Sequence, residues 1–128
     1  MDELTFGKFL TRKREEHDIT LRGFAKKLDI SPVYLCNIEK DRRPAPTDIL
    51  DNIAALLLLN KAEKEEMLDL AARSKNIPAV AADLPEYINE NDIVRVALRT
   101  AKDVDATDKE WEDFIKRLQK RLKREDGG

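Results

Sequence analysis

The sequence predicts an all-α protein, and three features of its composition indicate this. Charged residues make up 39% of the 128 residues, against roughly 25% in an average globular protein. Aromatic residues contribute only 5%, and there are only four glycines. High charge with few aromatics and few glycines is typical of small helical proteins. The chain is still 41% hydrophobic, which suffices for one modest core, in a single domain or a small domain with a helical arm.

The sequence also indicates the compartment. The longest apolar run, residues 53–59, is far shorter than the ~20 residues that a membrane span needs. Asp2 and Glu3 are acidic and no apolar stretch follows them, so we expect no secretory signal. The single cysteine, Cys36, excludes an internal disulfide and agrees with a reducing environment. We therefore expect a cytoplasmic protein without a membrane partner.

Several kinds of catalytic or metal site are excluded by composition. One histidine, His17, and one cysteine cannot build a zinc site without several carboxylates. His17 lies in the charged run 14–18, which is typical of a solvated helix end. The glycines are isolated or terminal, so there is no phosphate-binding loop. The carboxylates alternate with Lys and Arg at helical spacing, as on exposed faces. We predict no enzyme activity, no metal and no cofactor.

Residues typical of N-caps precede three short helical patterns in the first 40 residues. Thr5 precedes a helix that ends near His17, and Thr20 precedes a second. Ser31 followed by Pro32 is a strong start signal for a third. Residues 29–30 leave room only for a turn. The side chains that these helices should bury are Phe6, Phe9, Leu10, Leu21, Phe24, Ala25, Leu28, Leu35 and Ile38.

Two further helices should complete the first domain. The segment 41–46 interrupts the helical pattern, and Thr47 is predicted to cap a fourth helix. This helix is apolar nearly all round, so we expect it at the buried centre. Asn60 is predicted to cap a fifth helix. Its expected inward side chains are Ala62, Met67, Leu70 and Ala71.

The character of the chain changes after Ser74. Residues 75–83 have no clear period and contain a proline, so they are predicted to form a linker. Residues 84–88 look like one helical turn, and Asn91 and Thr107 are expected to cap two longer helices. The predicted organisation is a first domain at 1–74, a linker at 75–83 and a helical extension at 84–128.

Two short helices joined by a tight turn and packed on a first helix form the helix-turn-helix arrangement. Residues 19–40, ITLRGFAKKLDISPVYLCNIEK, resemble that motif as it occurs in the phage-repressor family, which includes lambda repressor, Cro and many bacterial XRE-type regulators. The resemblance extends over roughly residues 4–72 and includes the basic loop at 42–44. The positions of matching type are Ala25, Ile30, Ser31, Leu35, Ile38 and Glu39. It implies a lambda-repressor-like five-helix DNA-binding domain, here followed by a C-terminal helical extension.

Within this motif some positions have a structural role. Ala25 must be small because the third helix crosses the second there. The resemblance implies that Glu39 pairs with Arg14 of the first helix and so orients the third. Two positions depart from the family. Asp29 stands where Gly is usual, and Asp tolerates the left-handed conformation better than most residues. Leu21 replaces a Gln that often binds phosphate.

The resemblance places the third helix, residues 32–39, in the major groove of DNA. An Asn can pair with adenine, and Val or Pro can contact a thymine methyl group. The predicted base contacts are Pro32, Val33, Cys36 and Asn37. Phosphate contacts position a protein without specifying sequence, and those predicted are Ser31, Tyr34, Lys40, Arg42 and Arg43. The alternatives are ordinary surface positions for Asn37 and both arginines, and edge packing for Tyr34.

Charge and symmetry favour a homodimer. Residues 1–59 carry ten basic and ten acidic residues, whereas nucleic-acid-binding domains are usually basic. Modest affinity per monomer predicts a two-fold dimer on a palindromic operator. The predicted dimerisation stripe on the last helix is Trp111, Phe114, Ile115, Leu118 and Leu122. Alternatively, this stripe packs on the fifth helix of the same chain.

The predicted function is sequence-specific binding of double-stranded operator DNA by a repressor-type transcriptional regulator. The alternative is an antitoxin that binds a toxin protein and autoregulates its operon, because a short regulator with a helical tail and no sensory domain suits that role. A third hypothesis is a helical scaffold that never binds DNA. DNA affinity separates the scaffold from the other two, and co-purification of a toxin separates the antitoxin from the repressor.

Overall fold

A computed structural model describes residues 3–75 and 79–127, with side chains to residue 123. This part of the chain is helical and contains no strand, which confirms the all-α class. None of its helices is long and apolar enough to cross a membrane. The elements in chain order are α1 Phe6–Glu16, α2 Leu21–Leu28, α3 Pro32–Glu39, a 3-10 turn Thr47–Ile49, α4 Leu50–Leu56, α5 Lys61–Arg73, α6 Pro85–Glu90, α7 Asp92–Asp103 and α8 Asp108–Gly127.

The chain divides into two compact units, Met1–Pro85 and Glu86–Gly128. Within the predicted linker, Ala81 is 7% exposed and joins the core of the first unit. Residues 76–78 of that linker lie outside the described residues. The domain boundaries derived from the sequence stay a prediction.

The core of the first unit is formed by apolar side chains of α1 to α5. Each of these helices contributes from one face, so α1 to α5 enclose a single core. Its largest fully buried side chains are Phe6, Phe9, Phe24, Leu10, Leu35, Ile38, Ile53, Leu57 and Met67.

Side-chain caps define the start of most helices, and five of the predicted caps are confirmed. In each, the side-chain oxygen accepts a hydrogen bond from the N–H three residues on: these are Thr5, Thr20, Ser31, Asn60 and Thr107. At Asn60 the Glu63 carboxylate also accepts from the Asn60 N–H, which completes a capping box. These local bonds satisfy N–H groups that a helix would otherwise leave unpaired.

Two predicted caps differ in the structure. Thr47 does not cap α4, because it begins the 3-10 turn and its hydroxyl accepts a hydrogen bond from Lys75 Nζ at 3.3 Å. α4 therefore begins at Leu50, without a side-chain cap. Asn91 does occupy the N-cap of α7, but its amide donates backwards to the Tyr87 carbonyl at 2.7 Å instead of capping.

The inward face of α5 also differs at one predicted position. Met67, Leu70 and Ala71 are buried as predicted, but Ala62 is exposed and Leu68 is buried in its place. At about 100° per residue, Ala62 lies roughly 140° around the helix from Met67. Leu68 lies on the same face as Ala71, three residues further on.

A salt bridge links α1 to the start of α5. Lys13 Nζ donates to Glu63 Oε2 at 2.5 Å and lies 3.4 Å from Glu16. The hydrogen bond to Glu63 is the main cause that raises the pKa of Lys13. The Asn60 N–H, and then Lys13, lower the pKa of Glu63. Both groups are therefore held in their charged forms where the two helices meet.

α1 approaches the end of α3 so closely that position 7 has no room for a side chain. A Cβ atom on Gly7 would lie 2.4 Å from the Glu39 carbonyl oxygen and 2.7 Å from Asp41 Oδ1. The Asp41 carboxylate accepts hydrogen bonds from Thr5 Oγ1 at 2.6 Å and from the Gly7 N–H at 3.0 Å. Asp41 itself is left-handed, with φ at 60°. The loop after α3 is thereby fastened to the positive end of α1.

We expect Gly7→Ala to destabilise the first unit by roughly 1–3 kcal/mol, because the added methyl group forces α1 away from α3. The measurement is the free energy of unfolding in urea. Gly23→Ala is the matched control, because a Cβ atom there meets only Thr20 Oγ1, at 2.9 Å, and its destabilisation should be smaller. A Gly7→Ala protein as stable as the parent would contradict the close approach.

Candidate nucleic-acid interface

A left-handed residue makes the turn between α2 and α3. Asp29 has φ at 58° and ψ at 43°, as the sequence predicts for this position. Its N–H donates to the Lys26 carbonyl at 3.1 Å, and the Ile30 N–H donates to the Ala25 carbonyl at 3.0 Å. These bonds satisfy the last carbonyls of α2. The turn is therefore held by backbone hydrogen bonds, and it determines where α3 starts.

Buried side chains hold α3 between α2 and α1. Ala25 on α2 is completely buried, as are Leu35 and, to within 1%, Ile38 on α3. Phe9 and Leu10 on α1 belong to the same cluster. Because interiors are close-packed, a larger side chain at position 25 would have to displace its neighbours. One face of α3 is thus packed entirely in the core.

Arg14 connects three segments of this unit. Its Nε donates to Glu39 Oε2 at 2.8 Å and its Nη2 donates to Glu39 Oε1 at 3.0 Å, a bidentate pair between α1 and α3. Its Nη1 donates to the Ile19 carbonyl in the α1–α2 turn at 2.8 Å. Thr11 Oγ1 adds a fourth bond, to Glu39 Oε1 at 3.0 Å.

The surroundings of this pair give it a structural role. The Arg14 side chain is 12% exposed and that of Glu39 is 6% exposed. The hydrogen bond to Glu39 raises the pKa of Arg14. The charged groups of the pair are largely enclosed and are hydrogen-bonded to each other. The pair orients α3 on α1.

The opposite face of α3 is open. Pro32, Val33 and Tyr34 are exposed, Val33 to 72%, whereas Cys36 and Asn37 are half-buried. Within the described part of the chain, the Asn37 side chain makes no hydrogen bond, so both its donor and its acceptor remain available. These five side chains therefore lie on the side of α3 that faces away from the core. Their contacts with DNA bases or phosphates stay a prediction.

The basic loop after α3 is folded back on the helix. The N–H groups of Arg42 and Arg43 donate to the Asn37 carbonyl at 2.9 and 3.3 Å. Asp41, between these arginines and Lys40, is bound to the start of α1. The three cationic side chains are exposed, so an ordered backbone presents them at the C-terminal end of α3. At the other end, Ser31 Oγ accepts from the Tyr34 N–H at 3.1 Å and keeps its own proton to donate.

An open groove between α1, α2 and α3 adds two residues that the sequence analysis missed. Lys8 and Arg12 line it together with Cys36, Lys40 and Leu21. The side chain of Leu21 is half-buried against the core, so it contributes an apolar wall there. The signal available in the sequence is the spacing of Lys8 and Arg12, four residues apart on the polar face of an amphipathic helix.

We expect Glu39→Gln to destabilise the protein by about 3 kcal/mol, because it leaves the Arg14 charge enclosed without its carboxylate partner. Urea unfolding measures this. Glu15→Gln is the matched control, since Glu15 lies beside Arg14 in the same groove but is exposed. Equal destabilisation in the two variants would mean that the Arg14–Glu39 pair does not orient α3.

Comparison with known proteins agrees with this geometry. A family model described as helix-turn-helix matches residues 10–62, which include α2, the Asp29 turn and α3. No curated protein and no solved structure matches the chain. The match and the arrangement of α1 to α3 lead to the same assignment: residues 10–62 belong to the phage-repressor-like, XRE-type family of helix-turn-helix DNA-binding domains.

Proposed function

We propose that this protein is a repressor-type transcriptional regulator that reads operator DNA with α3. The observation that carries the proposal is the two-sided character of α3 in a helix-turn-helix unit. One face is fixed by Leu35, Ile38 and Glu39, and the other presents Asn37 with an unused amide group. In this docking mode the second helix of the motif lies across the backbone and the third enters the major groove.

Base recognition then follows from the chemistry of the outward face. The Asn37 amide can donate to and accept from an adenine edge at the same time. Pro32 and Val33, near the start of the helix, are apolar and exposed, which suits contact with a thymine methyl group. Cys36 is one turn further along and offers a small apolar surface. These four residues are the proposed specificity determinants.

Phosphate contacts at both ends of α3 would hold it in register. Ser31 and Tyr34 lie at its start, and Lys40, Arg42 and Arg43 follow its end. Because charges balance over residues 1–59, the placement of these cations matters more than their number. Lys8 and Arg12 in the adjoining groove extend the same basic edge along α1.

A homodimer is part of the proposal. Two α3 helices about 34 Å apart would match successive major grooves on one side of the duplex. Linking two half-site contacts raises the affinity of a domain that binds weakly alone. The stripe that we propose for dimerisation is exposed in the chain, each of its five side chains by 38–58%. A regulator of this kind acts on the chromosome, which corresponds to the predicted cytoplasmic location.

The function is tested by selecting duplexes from a random pool with the full-length protein and measuring binding to the enriched sequence. We expect Asn37→Ala to weaken specific binding by about 1–3 kcal/mol and to relax preference at one base pair, because the amide can no longer pair with the base. Asn52→Ala, at an exposed position of α4, is the control. If no sequence is enriched, the proposal fails. If preference is unchanged in Asn37→Ala, Asn37 does not read a base.

We expect Arg42→Ala combined with Arg43→Ala to weaken binding to all duplexes alike. The slope of log affinity against log salt should become shallower by roughly 0.9 for each phosphate that the variant no longer neutralises. A salt titration of binding measures this. Arg99→Ala with Lys102→Ala removes the same charge from exposed positions of α7 and should leave the slope unchanged. An unaltered slope in the Arg42/Arg43 variant would show that these side chains face solvent.

The second candidate function is an antitoxin, and the exposed apolar face of α7 favours it. Ile93 is 76% exposed and Val96 54%, and Val104, which follows the last residue of α7, is 68% exposed, so this segment offers an apolar surface for another protein. The test is co-expression with the product of the adjacent gene. A stoichiometric complex that changes operator affinity would support an antitoxin. Operator binding that is unaffected by that product would favour the repressor alone.

A further inference from the structure

α8 carries an apolar stripe whose side chains remain 38–58% exposed. Among the described side chains after residue 85, none is buried. Trp111 and Phe114 contact each other edge to face, with ring centroids 6.0 Å apart, but this contact leaves them 38% and 47% exposed. Ile115, Leu118 and Leu122 continue the stripe for two further turns.

Acids and bases are unevenly distributed along the described part of α8. Residues 108–113 contain four acids, Asp108, Glu110, Glu112 and Asp113, with one base, Lys109. Residues 116–123 contain no acid and five bases, Lys116, Arg117, Lys120, Arg121 and Lys123. A helix dipole favours acids at its start and bases at its end, but only within the first and last turns. Glu112 and Arg121 lie in interior turns of α8, so the dipole does not account for them.

We propose that α8 binds α8 of a second copy of this chain in antiparallel orientation. Four residues of the stripe, Trp111, Ile115, Leu118 and Leu122, are placed symmetrically about a point between Lys116 and Arg117, whereas Phe114 corresponds to Gln119. An antiparallel pair centred there places Trp111 opposite Leu122 of the second copy, and Ile115 opposite its Leu118. Such a pair has the two-fold symmetry that a homodimer requires.

The residues flanking the stripe determine the orientation. At about 100° per residue, Glu112 and Lys123 fall on one edge of the stripe, and Glu110 and Arg121 fall on the other. In an antiparallel two-fold pair, each edge faces the same edge of the second copy. Glu112 then lies within about one turn of Lys123 of the second copy, and Glu110 within about one turn of its Arg121.

A parallel pair would bring like charges together. Glu110 and Glu112 of the two copies would meet at one end, and Arg121 and Lys123 at the other. Flanking charges of this kind select partner and orientation in helix pairs. Only the antiparallel arrangement therefore places the flanking acids Glu110 and Glu112 beside flanking bases of the other copy, and this complementarity is the reason for proposing a second copy as the occupant of the stripe.

This inference rests on the proposed function for the dimer, but it is tested without DNA. Sedimentation equilibrium of the full-length chain measures self-association of the parent, Glu112→Lys, Lys123→Glu and the double variant. Each single reversal places like charges at two symmetry-related contacts, so we expect it to weaken self-association about tenfold. The double variant restores opposite charges and should recover the parent affinity.

The controls are Asp113→Lys and Lys120→Glu, which reverse the neighbouring charges on the side of α8 away from the stripe. They make the same charge changes in the same helix, and we expect the parent affinity in both. Circular dichroism of each variant is the control that tests whether its helical content is unchanged.

Three results would overturn the proposal: a parent that is monomeric at high micromolar concentration, equal effects of Glu112→Lys and Asp113→Lys, or a double variant that stays weakened. Single reversals that strengthen self-association would indicate a parallel pair and would also overturn the proposal, as would single reversals without effect. A dimer that selects no DNA sequence would leave the α8 pairing in place and remove the proposed function. A monomer that still selects DNA would remove the α8 pairing and the proposed homodimer, and it would leave the proposed sequence-specific DNA binding in place.

Discussion

The bidentate ion pair between Arg14 and Glu39 is the interaction on which the orientation of α3 depends. Arg14 also binds the Ile19 carbonyl, and Thr11 binds Glu39, so every strong group in the pair is satisfied. Such completeness is needed because enclosing two charges costs several kcal/mol unless their geometry and remaining hydrogen bonds are good. The main effect of the pair is to fix the position of α1, the α1–α2 turn and α3 relative to one another.

A second set of contacts lies at the same, C-terminal end of α3. Gly7 allows the backbone of α1 to approach the Glu39 carbonyl, and the Asp41 carboxylate accepts hydrogen bonds at the start of α1. The negative charge of Asp41 in the basic loop thus binds groups of the same chain, next to the positive end of α1. Lys40, Arg42 and Arg43 remain exposed around it, so the loop keeps a net positive surface although residues 1–59 are neutral overall.

The two faces of α3 have different roles, and this allows a fixed helix to be a recognition element. Its inner side chains bind the core and Arg14, which removes freedom that would otherwise be lost on binding a ligand. Its outer side chains are exposed or half-buried, and among the described residues the Asn37 amide makes no hydrogen bond. The second unit has the opposite character. Its helices leave their apolar faces exposed, which suits surfaces that gain stability only on association.

Local sequence was sufficient for most helix starts and for the Asp29 turn. Thr5, Thr20, Ser31, Asn60 and Thr107 cap their helices because the groups that bond lie three residues apart, and Asp at position 29 is compatible with positive φ. Thr47 was predicted wrongly because its hydroxyl binds Lys75, 28 residues away. The base and phosphate contacts came from the family resemblance and the outward positions on α3, and they stay predictions.

By itself, then, the sequence determined the helical class, the bounds of α3 and the residues available to its two faces, since spacing along a helix decides which side chains share a face. Only the tertiary structure decided the requirement for glycine at position 7, the anchoring of Asp41 and the Lys13–Glu63 bridge. Their bonded partners are 34 and 50 residues apart along the chain. No local pattern encodes such contacts, because they exist only after the core has brought α1, α3 and α5 together.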